Sequence, residues 1–328
     1  MAHNMDEILR KASNWDQPID FRNPIAPSHA IKQYLTYYGL DIPHTKFHMG
    51  VLYANDTKIM VQMHSPEQPI GTILLLHGYF DHAGLLRTII EYLTKYQYRV
   101  IVYDLQGHGL SGGEKASVQK FNHYGQTLQK VIDLMTDQLP PPYHAIGHST
   151  GGAIIINYIL KKKKHPFTTI ITAAPLIRSK HWKLTKAGYY LLNPFVNGIF
   201  RKFRANSSNK DYLKFVKQDP LQHKRVPFQW YEALIRWNKS IQEQGRSYDP
   251  ISVIQGDLDD TVDWKFNLKF LREKFPKADI HHMPKARHHL FNEREEIKGK
   301  VFSLIFKKLN GEEMLNDTNQ SKGQNGEG

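Results

Sequence analysis

His144-Ala145-Ile146-Gly147-His148-Ser149-Thr150-Gly151-Gly152, running on into Ala153-Ile154-Ile155-Ile156, sets a Gly-x-Ser-x-Gly turn between a short apolar strand and an apolar helix. A serine at the tip of such an elbow has unfavourable backbone angles, and the chain turns that tightly only if residues 147 and 151 lack colliding side chains. The helix that starts just after Ser149 points unpaired backbone N–H groups and its positive dipole end at the serine. Negative charge developing on a tetrahedral intermediate would be stabilised there. Ser149 is therefore the candidate nucleophile.

A nucleophilic serine needs a base and a carboxylate that orients the base, here in the chain order Ser, then Asp or Glu, then His. Ile251–Gln255 reads as a buried strand, and Gly256-Asp257-Leu258-Asp259-Asp260-Thr261-Val262-Asp263 places four carboxylates in the loop beyond it. Asp259 is the choice, with Asp257 the runner-up. A second short strand, Ile280–Met283, precedes Pro284-Lys285-Ala286-Arg287-His288-His289-Leu290-Phe291-Asn292-Glu293, and His288 is assigned as base ahead of His289. Loops at the carboxyl edge of an open parallel sheet converge in space however far apart they lie in sequence.

Two further turns follow apolar strands. Gly71–Leu76 runs into His77-Gly78-Tyr79-Phe80-Asp81-His82, and a backbone N–H after such a His-Gly turn can face a substrate carbonyl together with the N–H of Thr150. Arg99–Tyr103 runs into Asp104-Leu105-Gln106-Gly107-His108-Gly109-Leu110-Ser111-Gly112-Gly113. Its glycine spacing is not G-x-G-x-x-G and no P-loop lysine follows, which argues against nucleotide binding.

Taken together, His77-Gly78 with Asp81-His82-Ala83-Gly84, the Asp104–Gly113 loop, the Gly147–Gly152 elbow, Gly256-x-x-Asp259-x-x-Val262 and His288-x-Leu290-x-Asn292-Glu293 resemble the α/β-hydrolases. The resemblance spans about residues 45 to 310. Within that superfamily it is to the branch of monoacylglycerol lipases, bacterial lysophospholipases and serine aminopeptidase-like hydrolases. It implies Ser149 as nucleophile, Asp259 as orienting acid, His288 as base and the backbone N–H groups of Tyr79 and Thr150 as oxyanion donors. Asp219-Pro220-Leu221 and Pro227-Phe228-Gln229-Trp230 resemble cap elements of lysophospholipases. Thr127, and Arg287 and His289 around the base, depart from the pattern and bear on substrate preference rather than on reaction type.

Strand patterns near 59–63, 72–76, 100–103, 143–146, 169–173, 251–255 and 279–283 alternate with helical patterns near 84–97, 121–138 and 150–163. This rhythm predicts a mostly parallel sheet covered by helices on both faces, with a helical cap inserted after the sixth core strand. Residues 1–45 are read as a polar N-terminal arm with one helix near Ser28 to Tyr38. The core comprises 46–176 and 247–310, the cap 177–246, and 311–328 a disordered, almost wholly polar tail.

The chain of 328 residues carries a net charge of +13, and from Arg178 to Ser240 fourteen Lys and Arg face three acids. The same segment holds twelve aromatic residues. Asn193-Pro194 suits a helix start, after which Phe195, Ile199 and Phe203 fall on one face and Arg201, Lys202 and Arg204 at the cation-favouring end. That basic amphipathic helix predicts contact with an anionic membrane surface. With Trp230, the three apolar residues are also assigned to substrate binding. Clustered cations with aromatics also suit nucleic acid, but no recognised module supports it, and no nucleic-acid partner is expected.

No apolar run approaches the roughly twenty residues of a membrane span, and the first residues lack the apolar core of a signal peptide. A cytoplasmic protein is expected, with peripheral contact at the inner face of the membrane. The absence of cysteine excludes disulfides and thiol catalysis and agrees with a reducing compartment. No H-E-x-x-H spacing appears, so neither metal nor cofactor is expected. The sequence reading is thus a serine hydrolase cleaving a carboxylic ester of a single-chain lipid, a lysophospholipid or monoacylglycerol. Its alternatives are a short-chain carboxylesterase, lactonase or amidase of the same fold, and a non-catalytic lipid-binding protein.

Overall fold

A computed structural model describes residues 2–162 and 164–311, so most of the expected C-terminal tail lies outside the described residues. Two helices, α1 (Ala2–Ser13) and α2 (His29–Tyr38), precede an antiparallel hairpin of β1 (Thr45–Ala54) and β2 (Thr57–Pro66). Strands and helices then alternate: β3 (Gly71–Leu76), α3 (Arg87–Lys95), β4 (Tyr98–Tyr103), α4 (Asn122–Gln138), β5 (Tyr143–His148), α5 (Thr150–Lys161) and β6 (Phe167–Ala173). An insertion follows, built of α6 (Trp182–Leu192), β7 (Gly198–Phe200), α7 (Lys210–Gln218), β8 (Arg225–Pro227) and α8 (Phe228–Gln242). The chain then closes with β9 (Ser252–Gly256), α9 (Trp264–Lys274), β10 (Asp279–Met283) and α10 (Glu295–Leu309).

Eight strands form one sheet in the order β1-β2-β4-β3-β5-β6-β9-β10. Only β2 runs antiparallel to its neighbours; all pairs from β4 across to β10 are parallel. Because parallel strands are linked by helices that cover both faces, the inner strands β3, β5 and β9 are buried on either side, whereas β10 at the edge is not. In β3, Leu74 and Leu76 enter one core with α4, α5 and α9, while Ile73 and Leu75 enter the other with α2, α3 and α10. The expected α/β-hydrolase architecture with an insertion after the sixth strand is the observed one. Among the described residues no helix is long and apolar enough to cross a membrane.

Three expectations need correction. The N-terminal segment carries the expected helix as α2 but is more than a polar arm: Leu9, Ala12, Ile31, Tyr34, Leu35 and Tyr38 are buried in the second core. Strand β1 was not anticipated, because its apolar residues are interrupted by Lys46, His48 and the exposed Tyr53, as suits the sheet's edge. The basic amphipathic helix after Asn193 does not form. Asn193 instead ends α6, its N–H donating to Tyr189 C=O at 2.8 Å, and Pro194 has no N–H with which to continue. Gly198–Phe200 then pairs with β8, at a backbone approach so close that a Cβ on Gly198 would lie 2.5 Å from Val226 O. Phe195, Ile199 and Phe203 therefore share no helical face.

The elbow at Ser149 shows why its glycines are required. A Cβ on Gly151 would lie 2.4 Å from Leu76 O, and one on Gly147 would lie 2.6 Å from Gly151 C. The first turn of α5 is thus seated directly on the carboxyl end of β3. Gly151→Ala should lower stability by roughly 1–3 kcal/mol, the usual cost of overpacking. Chemical denaturation reads this against Gly188→Ala in α6, where a Cβ meets nothing within 4 Å and the exchange should be neutral or stabilising. Equal midpoints for the two variants would refute the steric account.

Candidate active site

Ser149 adopts φ 51°, ψ −110°, a conformation that costs a non-glycine residue of order 1–3 kcal/mol and persists only where its surroundings fix it. They do so here: its N–H donates to Ala173 C=O at 2.9 Å, and its own carbonyl accepts from Ala153 at 3.0 Å and Leu176 at 3.1 Å. The strained turn lifts the hydroxyl off the sheet's carboxyl edge. Ser149 Oγ lies 3.0 Å from His288 Nε2, and His288 Nδ1 lies 2.8 Å from Asp259 Oδ2. All three residues are buried.

The carboxylate sets the protonation pattern. Burial works to raise the Asp259 pKa, but His288, the Thr261 N–H and Gln255 outweigh it and hold the carboxyl below its ordinary range. An ionised carboxylate only accepts, so His288 carries its proton on Nδ1 and donates it to Asp259. Nε2 is then left to accept from the Ser149 hydroxyl. Of the alternatives weighed on sequence, Asp257 is exposed and accepts from the Lys285 N–H at 2.8 Å, away from His288. His289 turns instead to Asp81, 3.0 Å from its Nε2, and to the Tyr212 hydroxyl at 2.8 Å.

A cavity of about 350 Å³ opens on Ser149 and His288 and is bounded by Tyr79, Thr150 and the insertion. Neither the Tyr79 nor the Thr150 backbone N–H donates to a protein acceptor among the described residues. Thr150 is the first residue of α5, whose positive dipole end adds to its N–H. The turn carrying Tyr79 is held on three sides. The Tyr79 hydroxyl donates to Ala116 C=O at 2.6 Å and its ring stacks on Trp230 at 3.7 Å. Phe80 is held at φ 66°, with its carbonyl accepting from Gln222 at 2.7 Å.

The four insertion residues assigned to substrate binding divide. Trp230 and Ile199 line the cavity. Phe195, 80% exposed, and Phe203 do not; Phe203 lies against Arg201, whose Cζ is 4.5 Å from its ring centroid. Both follow from the missing helix: Phe195 lies in the turn that ends α6, and Phe203 in the extended chain after β7.

Two buried histidine–carboxylate groups join the insertion to the core. Asp219 at the end of α7 accepts from His82 at 2.8 Å and from the Tyr38 hydroxyl at 2.6 Å. Burial opposes the charge on His82, but Asp219 prevails and raises its pKa. Around Asp81, His289 and His148 approach to 3.0 and 3.6 Å. Burial depresses His148 to about 4, and its Nε2–H donates to His288 C=O at 3.0 Å. Asp81, His148 and His289 lie close enough to hold a metal ion; His289 Nε2 is taken up by Asp81 and the Tyr212 hydroxyl, while His148 Nδ1, 3.6 Å from Asp81 Oδ2, makes no hydrogen bond among the described residues. Through His148 Nε2 the cluster supports the His288 carbonyl from beneath. Asp81-His82 and Asp219 stood out in the sequence, but no spacing signalled that they would meet.

With this geometry, comparison with known proteins is informative. The family model described as serine aminopeptidase, S33 matches residues 67–295. The chain is 24% identical over 214 residues to the phospholipase YtpA of Bacillus subtilis, covering 62% of this chain and 82% of that protein. It is 23% identical over 252 residues to a monoacylglycerol lipase of Mycolicibacterium smegmatis, covering 73% and 89%. The structure of a soluble variant of monoglyceride lipase from Saccharomyces cerevisiae in complex with a substrate analog superposes with a TM-score of 0.71 at 21% identity, covering 83% of this chain and 97% of that one. With more than half of its length matched by the family model, the chain belongs to the serine aminopeptidase S33 family of α/β-hydrolases.

Proposed function

We propose that the protein is a serine hydrolase that cleaves the carboxylic ester of a single-chain lipid, a lysophospholipid or monoacylglycerol, through an acyl-enzyme. The observation that carries the reading is the unbroken hydrogen-bond chain from Ser149 through His288 to Asp259 on the wall of the cavity. Ser149 Oγ attacks the acyl carbon as His288 Nε2 takes its proton. The N–H groups of Tyr79 and Thr150, free of protein acceptors, hold the oxygen as it becomes negative. His288 returns the proton to the departing alcohol, and water, activated by the same imidazole, releases the fatty acid and restores the serine. Asp259 keeps the imidazole in one tautomer and stabilises its charged form. Thr150 acts through its backbone alone, so its side chain is free to differ among relatives.

The walls of the cavity support this substrate class. Leu176, Val226, Trp230 and Val262 give the cavity an apolar side on which an acyl chain fits better than a polar acid. A short ester, lactone or amide remains the second reading, and acyl-chain-length profiling separates the two.

The surface around the insertion supports the membrane contact in a different form from the helix expected on sequence. Leu184 and Leu191 are both 72% exposed, and Phe195 and Phe200 are 80% and 78% exposed. Exposed Lys183, Lys202, Lys224 and Arg225 lie among them in sequence and across the β7–β8 hairpin. Apolar rings entering the acyl boundary with cations at the headgroups would let the enzyme take its substrate from an anionic surface.

Two measurements test these readings. A fluorophosphonate probe should label the protein and not Ser149→Ala, and Asp259→Asn should lower kcat by roughly 10⁴-fold by disturbing the His288 tautomer. Labelling undiminished by Ser149→Ala would remove Ser149 from the mechanism. In flotation, the protein should rise with anionic liposomes at low salt, and Phe195→Asp with Phe200→Asp should leave it at the bottom. Flotation indifferent to anionic lipid or to these changes would dispose of the membrane contact.

A further inference from the structure

Arg201 stands apart from the other cations of the insertion. It follows β7 directly, and its side chain lines the cavity shared by Ser149 and His288. Its guanidinium lies between two aromatic faces, with Cζ 4.1 Å from the Phe80 ring centroid and 4.5 Å from that of Phe203. Nη1 donates to Gln222 Oε1 at 2.5 Å, and Gln222 is fixed in turn by its bond to the Phe80 carbonyl. Nε and Nη2 bond no protein acceptor among the described residues.

The charge is equally unmatched. Lys180 and Arg204, on the same wall, both pair with Asp260. Arg201 has no carboxylate within ion-pair distance among the described residues, and the two whose fields reach it are engaged elsewhere: Asp81 by His289, and Asp219 by His82. Burial accordingly lowers its pKa. A cation withdrawn from water without a counter-ion is costly, and an anion that arrives with a ligand offsets that cost. Aromatic sandwiching and the Gln222 bond hold the planar fork in place, the preorganisation that two-point recognition of a phosphate requires.

We propose that the Arg201 guanidinium receives the phosphate of the substrate's headgroup, so that the preferred ester is a lysophospholipid and not an uncharged monoacylglycerol. The inference rests on the ester-hydrolase reading of the cavity and narrows it. The hydroxyl of Ser149 and the fork of Arg201 then read the two ends of one molecule, the acyl ester and the phosphate, across a common cavity. A phosphodiester keeps its negative charge whatever alcohol it carries, so the preference extends to zwitterionic as well as anionic headgroups.

Binding to Ser149→Ala, in which turnover is blocked, tests the proposal by calorimetry. The ligands are monohexanoyl glycerol phosphate, monohexanoyl glycerol and inorganic phosphate, all below aggregation. The phosphate ester should bind about 10- to 100-fold more tightly than the glyceride, the range expected for charge-assisted hydrogen bonds. Adding Arg201→Gln should abolish that preference, and Arg201→Lys, which keeps the charge and loses the fork, should reduce it. Equal affinities for ester and glyceride would overturn the proposal before any variant of Arg201 is made. So would a preference untouched by both substitutions, or inorganic phosphate binding as tightly as the phosphate ester, which would mark a free-anion site. Hydrolysis is not read here, so these outcomes are distinct from failure of the fluorophosphonate test.

Discussion

The seating of the first turn of α5 on the end of β3 is the constraint on which the rest of the site depends. Gly151 lets the helix approach to a distance that a single methyl group would forbid, and Ser149 is thereby held in a backbone conformation that it would not choose. The strain is offset by bonds to Ala173, Ala153 and Leu176, which tie the elbow to β6 and to the chain entering the insertion. The result is a hydroxyl lifted clear of the sheet, with the Thr150 N–H beside it. Neither property is a feature of serine itself; both come from the close contact of two backbones.

Around this fixed point the supporting groups are histidines and carboxylates in buried pairs. Asp259 orients His288, while His148, kept neutral by burial, donates to the His288 carbonyl from the other side. Asp81 and His289 complete the support, and Asp219 with His82 and Tyr38 fastens the insertion to both the core and the N-terminal helices. Buried charges of this kind contribute little net stability when paired and cost several kcal/mol when one partner is removed. Their effect is on position: the roof of the cavity is held in register with the floor.

Much of the fold was legible because the signals were local. Apolar runs at strand length and glycines at the elbow state their structure within a few residues. Of the site, Ser149, Asp259 and His288 could be picked out because a turn follows each strand end. What was not legible required contacts between distant segments. The face that Phe195, Ile199 and Phe203 would present was read from helical spacing, but pairing between Gly198–Phe200 and Arg225–Pro227 overrode it. Similarly, the N-terminal segment looked polar in sum, although Leu9, Ile31, Tyr34 and Tyr38 were enough to dock it.

The charge of the insertion illustrates the same limit. Fourteen basic residues in one segment read as a single electrostatic feature, whereas in three dimensions they divide by environment. Lys183, Lys202, Lys224 and Arg225 face solvent near exposed apolar side chains, where attraction to a surface is diffuse and screened by salt. Lys180 and Arg204 share Asp260, whose carboxylate offsets one of their two charges. Arg201 alone is set between two rings in the cavity with part of its fork unoccupied. Net charge therefore bears on the proposed contact with a surface, while a cation held between rings in the cavity that Ser149 lines bears on the proposed choice of substrate. The distinction arises from burial and orientation, which no count of lysines and arginines contains.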